Sequence, residues 1–171
     1  MPATPQDLFA RFDALGLSHK TVEHPPLYTV EDSRKLRGEI PGAHVKNLFV
    51  KDKKGRVFLL VAEEAARIDL KRVHETIGAQ GRVSFVAGEK MEEIWGVKPG
   101  AVTPFGAIND KDGLVTVILE EGLMRDALIN AHPLVNTMTT TIARDDLVRF
   151  LEAENHAPRI LAFAETGAGE G

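Results

Sequence analysis

Val45-Lys46-Asn47-Leu48-Phe49-Val50, Lys51-Asp52-Lys53-Lys54-Gly55 and Arg56-Val57-Phe58-Leu59-Leu60-Val61 together decide how this chain folds. Two strand-like runs flank a polar stretch with glycine in the turn, which is the pattern of a β-hairpin. Alternation along the first run sends Val45, Asn47 and Phe49 to one face and His44, Lys46 and Leu48 to the other. Lys46 thus shares a face with Leu48. A lysine on a half-buried face needs an anion or a route to water for its ammonium. Two readings stay open, a snorkelling side chain or a point charge for a phosphate or carboxylate.

Outward from the hairpin, helices and strands are interspersed. Thr4-Pro5-Gln6-Asp7 opens a first helix with a threonine cap, proline at the first position and an acid in the first turn. Leu8, Phe9, Phe12 and Leu15 form its apolar face, and Gly16 stops it. Lys20–His24 reads as a strand ended by Pro25-Pro26, and Thr29 as the cap of a short helix to about Arg37. Beyond the hairpin the pattern predicts helices over Asp69–Ile77, Glu89–Trp95 and Arg144–Ala153. Strands are expected over Arg82–Val86, Leu114–Leu119, Val135–Ile142 and Arg159–Phe163, with a loop-rich stretch at Val97–Ile108. Hairpins and short connections outnumber βαβ repeats. The expected architecture is therefore α+β, a single domain with a mixed, curved sheet flanked by helices. It should span 1–165, with 166–171 as a flexible Gly/Ala/Glu-rich tail.

Composition bounds the chemistry. The chain has 171 residues, 43% hydrophobic and 27% charged, with a formal net charge of −4 and no cysteine. Disulfides, thiolate metal sites and cysteine nucleophiles are excluded. No apolar run approaches the roughly 20 residues of a membrane helix, and the amino terminus lacks the pattern of a secretory signal. A cytoplasmic protein is expected. The acidic average conceals a basic cluster, since Lys46, Lys51, Lys53, Lys54 and Arg56 fall within eleven residues, with Asp52 the single acid among them. That cluster reads as a solvated hairpin tip or as a phosphate-facing edge.

No Walker-type phosphate loop occurs, and the Gly-x-Gly spacing is confined to the tail. The six histidines show no His-x-His or His-Glu-x-x-His spacing, and none of the three serines lies in Gly-x-Ser-x-Gly. An enzyme with this inventory should work by positioning, backbone dipoles and a water. Two segments suit that role. Gly100-Ala101-Val102-Thr103-Pro104-Phe105-Gly106 is either a plain turn or a loop whose N–H groups converge on an oxyanion. His132-Pro133-Leu134, followed by Asn136, holds an extended histidine at a strand entrance, as a capped core residue or as a pocket wall.

The Val45–Phe49 strand, the Gly-x-x-x-Pro loop at Gly100–Pro104 and the His132-Pro133-Leu134…Asn136 segment, in that order and spacing, resemble the YbaK/ProX family. That family is related to the editing insertion of bacterial prolyl-tRNA synthetases, and the resemblance runs from about Pro5 to Ala164. It is strongest toward the stand-alone type that acts on alanyl-tRNA(Pro), with Ala131 standing where some relatives carry glycine. The resemblance implies hydrolysis of an aminoacyl ester without cofactor or metal. Lys46 would hold the phosphate or terminal ribose of the acceptor end, and Asn47 would orient the adenosine or a neighbouring loop. The backbone of Gly100, Thr103 and Pro104 would hold the carbonyl or the water, and His132 would line the amino-acid pocket. Tyr28, Thr29, Phe105, Gly106 and Asn136 would complete the substrate site. Lys51, Lys53, Lys54, Arg56 and Arg82 would touch the acceptor stem. Partners would be aminoacyl-tRNA, with prolyl-tRNA synthetase or an elongation factor beside it. Rival readings are an editor of cysteinyl- or seryl-tRNA, a non-catalytic tRNA-binding module, and a metal-dependent hydrolase using His44, His74 or His132.

Overall fold

The computed structural model describes residues 1–26, 35 and 40–165. The short helix expected from Thr29, the expected contacts of Tyr28 and Thr29, and the tail at 166–171 lie outside the described residues.

Helix α1 (Pro5–Ala14) starts where the sequence places it, with the Thr4 hydroxyl accepting from Asp7 N–H and the Asp7 carboxylate accepting from Thr4 N–H. Strand β1 (His19–Glu23) follows. The hairpin forms from β2 (Ala43–Lys51) and β3 (Val57–Glu63), paired antiparallel from Val45↔Glu63 to Lys51↔Val57. Its turn is fixed by Asp52, whose buried carboxylate accepts from Lys54, Arg56 and Gln80 N–H groups and from Arg56 Nε.

After the hairpin come α2 (Val73–Ile77), β4 (Ser84–Phe85), α3 (Gly88–Trp95), 3-10 turns at Pro99–Ala101 and Pro104–Ile108, and β5 (Val115–Glu120). The chain ends through β6 (Leu128–Ala131), β7 (Met138–Ala143), α4 (Arg144–Ala153) and β8 (Arg159–Leu161). The eight strands among the described residues form one mixed sheet in the order β1-β7-β6-β2-β3-β5-β8, with β4 pairing β2. Pairs β2–β6, β3–β5 and β5–β8 are parallel and the others antiparallel. The expected α+β class with a mixed sheet is what the chain adopts.

Both faces of the β2–β3–β5 region are covered. Phe49, Leu59, Val61, Val117 and Leu119 pack with Leu8 and Phe12 of α1, Met91 and Trp95 of α3, and Leu147, Phe150 and Leu151 of α4. On the other face Val50, Phe58, Leu60, Ala62 and Ile118 meet Val73 and Ile77 of α2. Two covered faces explain why β3 reads as a continuous apolar run. No helix among the described residues is long and apolar enough to cross a membrane.

Four expectations are corrected. The helix expected from Asp69 begins at Val73, because the Asp69 carboxylate accepts Lys71 N–H at 3.0 Å and favours a local turn. The strand expected over Val135–Ile142 begins at Met138, since Leu134 adopts φ 72° and breaks the extended path. Strand β8 stops at Leu161, and the N–H groups of Phe163 and Ala164 instead donate to the buried Glu120 carboxylate at 2.7 and 2.8 Å. Strand β6 was not expected, and it places His132 at a strand exit rather than a strand entrance.

Candidate active site

Strand β2 has two different neighbours along one edge: β6 at Ala43↔Ile129 and His44↔Asn130, and β4 at Val50↔Phe85 and Lys51↔Ser84. Between these pairings no strand among the described residues pairs this edge of β2 at Val45–Leu48. Extending the parallel register by two residues sets Lys46 alongside His132. Alternation then decides what faces where. Ile129, Ala131 and Ile142 belong to the helix-covered core. Their neighbours Asn130, Thr139, Thr141 and His132 therefore face the other way, together with His44 and Lys46.

That second face is polar and ordered by hydrogen bonds. His132 Nδ1 lies 2.9 Å from the Met138 carbonyl, which can only accept, so Nδ1 carries the proton. Burial pushes the His132 imidazole below its ordinary value; the Met138 bond opposes this, and charge on His24 or His44 would add to it. At neutral pH the ring is therefore uncharged, with the lone pair on Nε2. His24 Nδ1 lies 2.8 Å from the Pro25 carbonyl and its Nε2 2.8 Å from the Thr139 hydroxyl. His44 Nε2 donates to the Ile40 carbonyl at 3.3 Å. Thr141 donates to Asn130 Oδ1, whose amide nitrogen donates to the Pro41 and Ala43 carbonyls. The Lys46 ammonium donates to the carbonyl of Ala66.

The Gly100–Pro104 loop packs on the opposite side of β2. Asn47 Nδ2 donates to the Val102 carbonyl at 3.1 Å, and its buried Oδ1 has no hydrogen-bond partner among the described residues. Lys46 and the loop, expected in one cluster, thus approach the strand from its two faces. Within the loop, Ala101 N–H goes to Lys98 O, Gly106 N–H to Thr103 O and Phe105 N–H to the Thr103 hydroxyl. The N–H groups of Ala101, Phe105 and Gly106 therefore close the turn itself. Gly100 remains exposed.

The 132–137 segment links the two sides. It leaves the polar face at His132, turns at Leu134 and brings Asn136 against Gly100. A Cβ placed on Gly100 would lie 3.4 Å from the Asn136 amide nitrogen. The Leu134–Thr137 and Gly96–Ala101 segments, with Pro2 and Glu92, line a groove of about 660 Å³. The 3.4 Å spacing at Gly100 is ordinary van der Waals distance, so Asn136 packs directly against the backbone there without requiring glycine.

Several expected substrate residues lie in the core instead. Thr103, Phe105 and Gly106 are buried. Phe105 sits among Phe12 and Phe150 with ring centroids 5.2 and 5.7 Å away, and a Cβ on Gly106 would meet Trp95 Nε1 at 2.2 Å. Trp95 donates to the Thr103 carbonyl at 2.7 Å. These residues, with Pro104, are buried and shape the loop from beneath. Lys51, Lys53, Lys54 and Arg82 are exposed, whereas Arg56 is engaged with Asp52, with the Gly78 carbonyl at 2.9 Å and over the Phe58 ring. Along the extended strand Lys51 stands about 17 Å from Lys46, at some 3.3 Å per residue, and Lys53 and Lys54 follow in the turn beyond it. The hairpin tip could touch only a part of a ligand far from its reacting end. Among the described residues no three histidine or acidic side chains are grouped to hold a metal.

Sequence reasoning placed His44 beside Lys46 but missed His24 and Thr139 as members of the polar face. The alternation Met138-Thr139-Thr140-Thr141 held the signal, but His24 joins only through the β1–β7 pairing.

The fold agrees with that of a solved structure the chain resembles, and its sequence matches a known family. A model of the aminoacyl-tRNA editing domain matches residues 24–150. The prolyl-tRNA editing protein ProX of Acetoanaerobium sticklandii is 33% identical over 152 residues, covering 88% of this chain and 92% of that protein. The prolyl-tRNA synthetase associated domain-containing protein 1 of Danio rerio is 34% identical over 151 residues, covering 87% and 82%. A solved structure of a protein proposed as a trans-editing enzyme for prolyl tRNA synthetase superposes with a TM-score of 0.73 at 18% identity, covering 96% of this chain and 99% of that one. With a polar strand face, a glycine loop and a near-full-length match all in place, this chain belongs to the aminoacyl-tRNA editing domain family.

Proposed function

We propose that this protein is a free-standing editing deacylase that hydrolyses alanyl-tRNA(Pro) in the cytoplasm. The observation that carries the reading is His132: an uncharged, half-buried imidazole with its tautomer fixed by Met138, on the face that also holds Lys46. An aminoacyl ester is already activated, so an ordered water and charge stabilisation suffice and no covalent catalyst is needed. Water adds to the ester carbonyl carbon, the bond from that carbon to the ribose oxygen breaks, and the ribose oxygen leaves with a proton. The products are free alanine and uncharged tRNA.

Each group then has a task. Lys46 exchanges the Ala66 carbonyl for the terminal ribose or a phosphate of the acceptor end, the phosphate being the stronger partner because it carries charge. The Nε2 lone pair of His132 faces the aminoacyl group and limits its size. Gly100 and Asn136 bound the groove on the other side of β2, and the 2′-hydroxyl next to the ester assists the water, since it can donate and accept. Lys51, Lys53, Lys54 and Arg82 lie toward the acceptor stem. Residues 1–165 form the editing unit, with 166–171 appended. Prolyl-tRNA synthetase or an elongation factor delivers the substrate. Editing in a second protein suits this substrate, because a synthetase built for proline gains only about 1–3 kcal/mol against a smaller side chain.

Deacylation of alanyl-, cysteinyl-, seryl- and prolyl-tRNA(Pro) by the wild type tests the reading. Turnover of the alanyl ester with prolyl-tRNA(Pro) spared supports it. Preference for the cysteinyl or seryl ester reassigns the substrate, and binding with no turnover of any ester overturns the enzyme.

A further inference from the structure

The reaction above uses Lys46 and His132 and leaves His24 unassigned. His24 stands one residue beyond β1, and its N–H extends that pairing to the Thr137 carbonyl at 2.9 Å. The Pro25 carbonyl can only accept, so Nδ1 of His24 carries a proton, and Nε2 shares a hydrogen bond with the hydroxyl of Thr139. Thr139 is only 4% exposed, so this bond is sheltered from water. The ring centroids of His24 and His132 are 6.2 Å apart with their planes at 50°. His132 is held at Nδ1 by Met138, the residue next to Thr139 in β7. A ring bonded at one corner can still pivot about that bond, and its tilt is fixed by what packs against its side. His24, locked at both nitrogens, is the ring packed there.

We propose that His24 is a positioning residue of the editing site: packed against His132 and locked by Thr139 and Pro25, it fixes the tilt of His132 and thereby the size of aminoacyl group admitted. The inference rests on His132 acting as the pocket wall. It needs no direct contact between His24 and substrate.

The test is a double-mutant cycle read on selectivity. kcat/KM is measured for alanyl- and prolyl-tRNA(Pro) with wild type, His24→Ala, His132→Ala and the double variant, together with His24→Phe and Thr139→Val. His24→Ala should lower the alanyl-to-prolyl preference about tenfold, the scale of a one-methylene error in pocket fit. In the His132→Ala background the same change should alter it less than about twofold, because coupled residues are non-additive. His24→Phe keeps a ring beside His132 and should retain most of the preference, while Thr139→Val should fall between. An unchanged preference in His24→Ala, or effects that multiply in the double variant, overturns the proposal. Ring NMR of His132 reads the contact without turnover. His24→Ala should shift the His132 ring signals and reveal a second ring orientation, and unchanged signals overturn the proposal. Absence of turnover in the wild type would count against the deacylase, not against this contact.

Discussion

Lys46 and Asn47 are consecutive in β2 yet serve opposite faces of the sheet: the ammonium of one goes to the Ala66 carbonyl, and the amide of the other to the Val102 carbonyl at 3.1 Å. Their substitutions should therefore separate. Lys46→Ala removes a half-exposed charge, so urea denaturation should show a change within about 0.5 kcal/mol. Its effect should appear as a KM for alanyl-tRNA(Pro) raised about tenfold to a hundredfold, matching a charged hydrogen bond of about 1.5–3 kcal/mol. Asn47→Ala unties the Gly100–Pro104 loop and should cost about 1 kcal/mol of stability. An unchanged KM in Lys46→Ala would remove the anchoring role.

How much of this was readable in the sequence follows from the range of each interaction. The hairpin, α1 with its Thr4–Asp7 cap, and α4 depend on neighbours in sequence, and their patterns survive folding. The two faces of β2 were also legible, because alternation is local. What Lys46 and the glycine loop do relative to each other was not, since that depends on which side the loop packs. Phe105 and Gly106 looked like parts of a binding loop because glycine and an aromatic suit a ligand as well as a core. Only the close approach of Trp95 decides between them. His24 meets Thr139 across 115 positions, and no local pattern announces such a contact.

Gly106 is held by sterics rather than by an unusual backbone angle. A Cβ there would lie 2.2 Å from Trp95 Nε1 and 2.3 Å from its Cδ1, with Trp95 fully buried. Gly106→Ala should force the indole aside, costing about 1–3 kcal/mol by overpacking and straining its bond to Thr103. Trp95 is the sole tryptophan, so intrinsic fluorescence reports the movement directly. An unshifted emission spectrum with unchanged stability would show that the loop tolerates the methyl group.

Asp52 should give the hairpin a sensitivity to acid. Burial raises its carboxyl, but hydrogen bonds from Gln80, Arg56 and Lys54 outweigh that and hold it at about 2, below the ordinary 3.8. A carboxyl depressed in the folded state binds fewer protons than in the unfolded chain. Its stabilisation is therefore complete above the ordinary value and is lost as pH falls from about 4 toward 2. Asp52→Asn should be less stable than wild type at pH 6, and the gap should narrow across that window. A gap that stayed constant from pH 6 to pH 2 would mean that Asp52 does not titrate with folding.

Leu134 is the bend that carries the chain from His132 to Asn136, and it has φ 72° and is only 6% exposed. A leucine in the left-handed region costs roughly 1–2 kcal/mol relative to glycine, while its burial contributes about 1.5–3 kcal/mol. The two effects can be separated because alanine and glycine both remove the side chain, and only glycine relieves the backbone. In an ordinary helix or strand glycine is about 0.5–1 kcal/mol worse than alanine. At this position the order should invert, with Leu134→Gly more stable than Leu134→Ala by about 1 kcal/mol in chemical denaturation. Both variants should lose selectivity for the alanyl ester, because the bend sets where His132 and Asn136 stand. If alanine proved the more stable replacement, the left-handed bend would not be a constraint on the segment. The path between the two sides of the site would then be set by Pro133 and the Asn136–Gly100 contact.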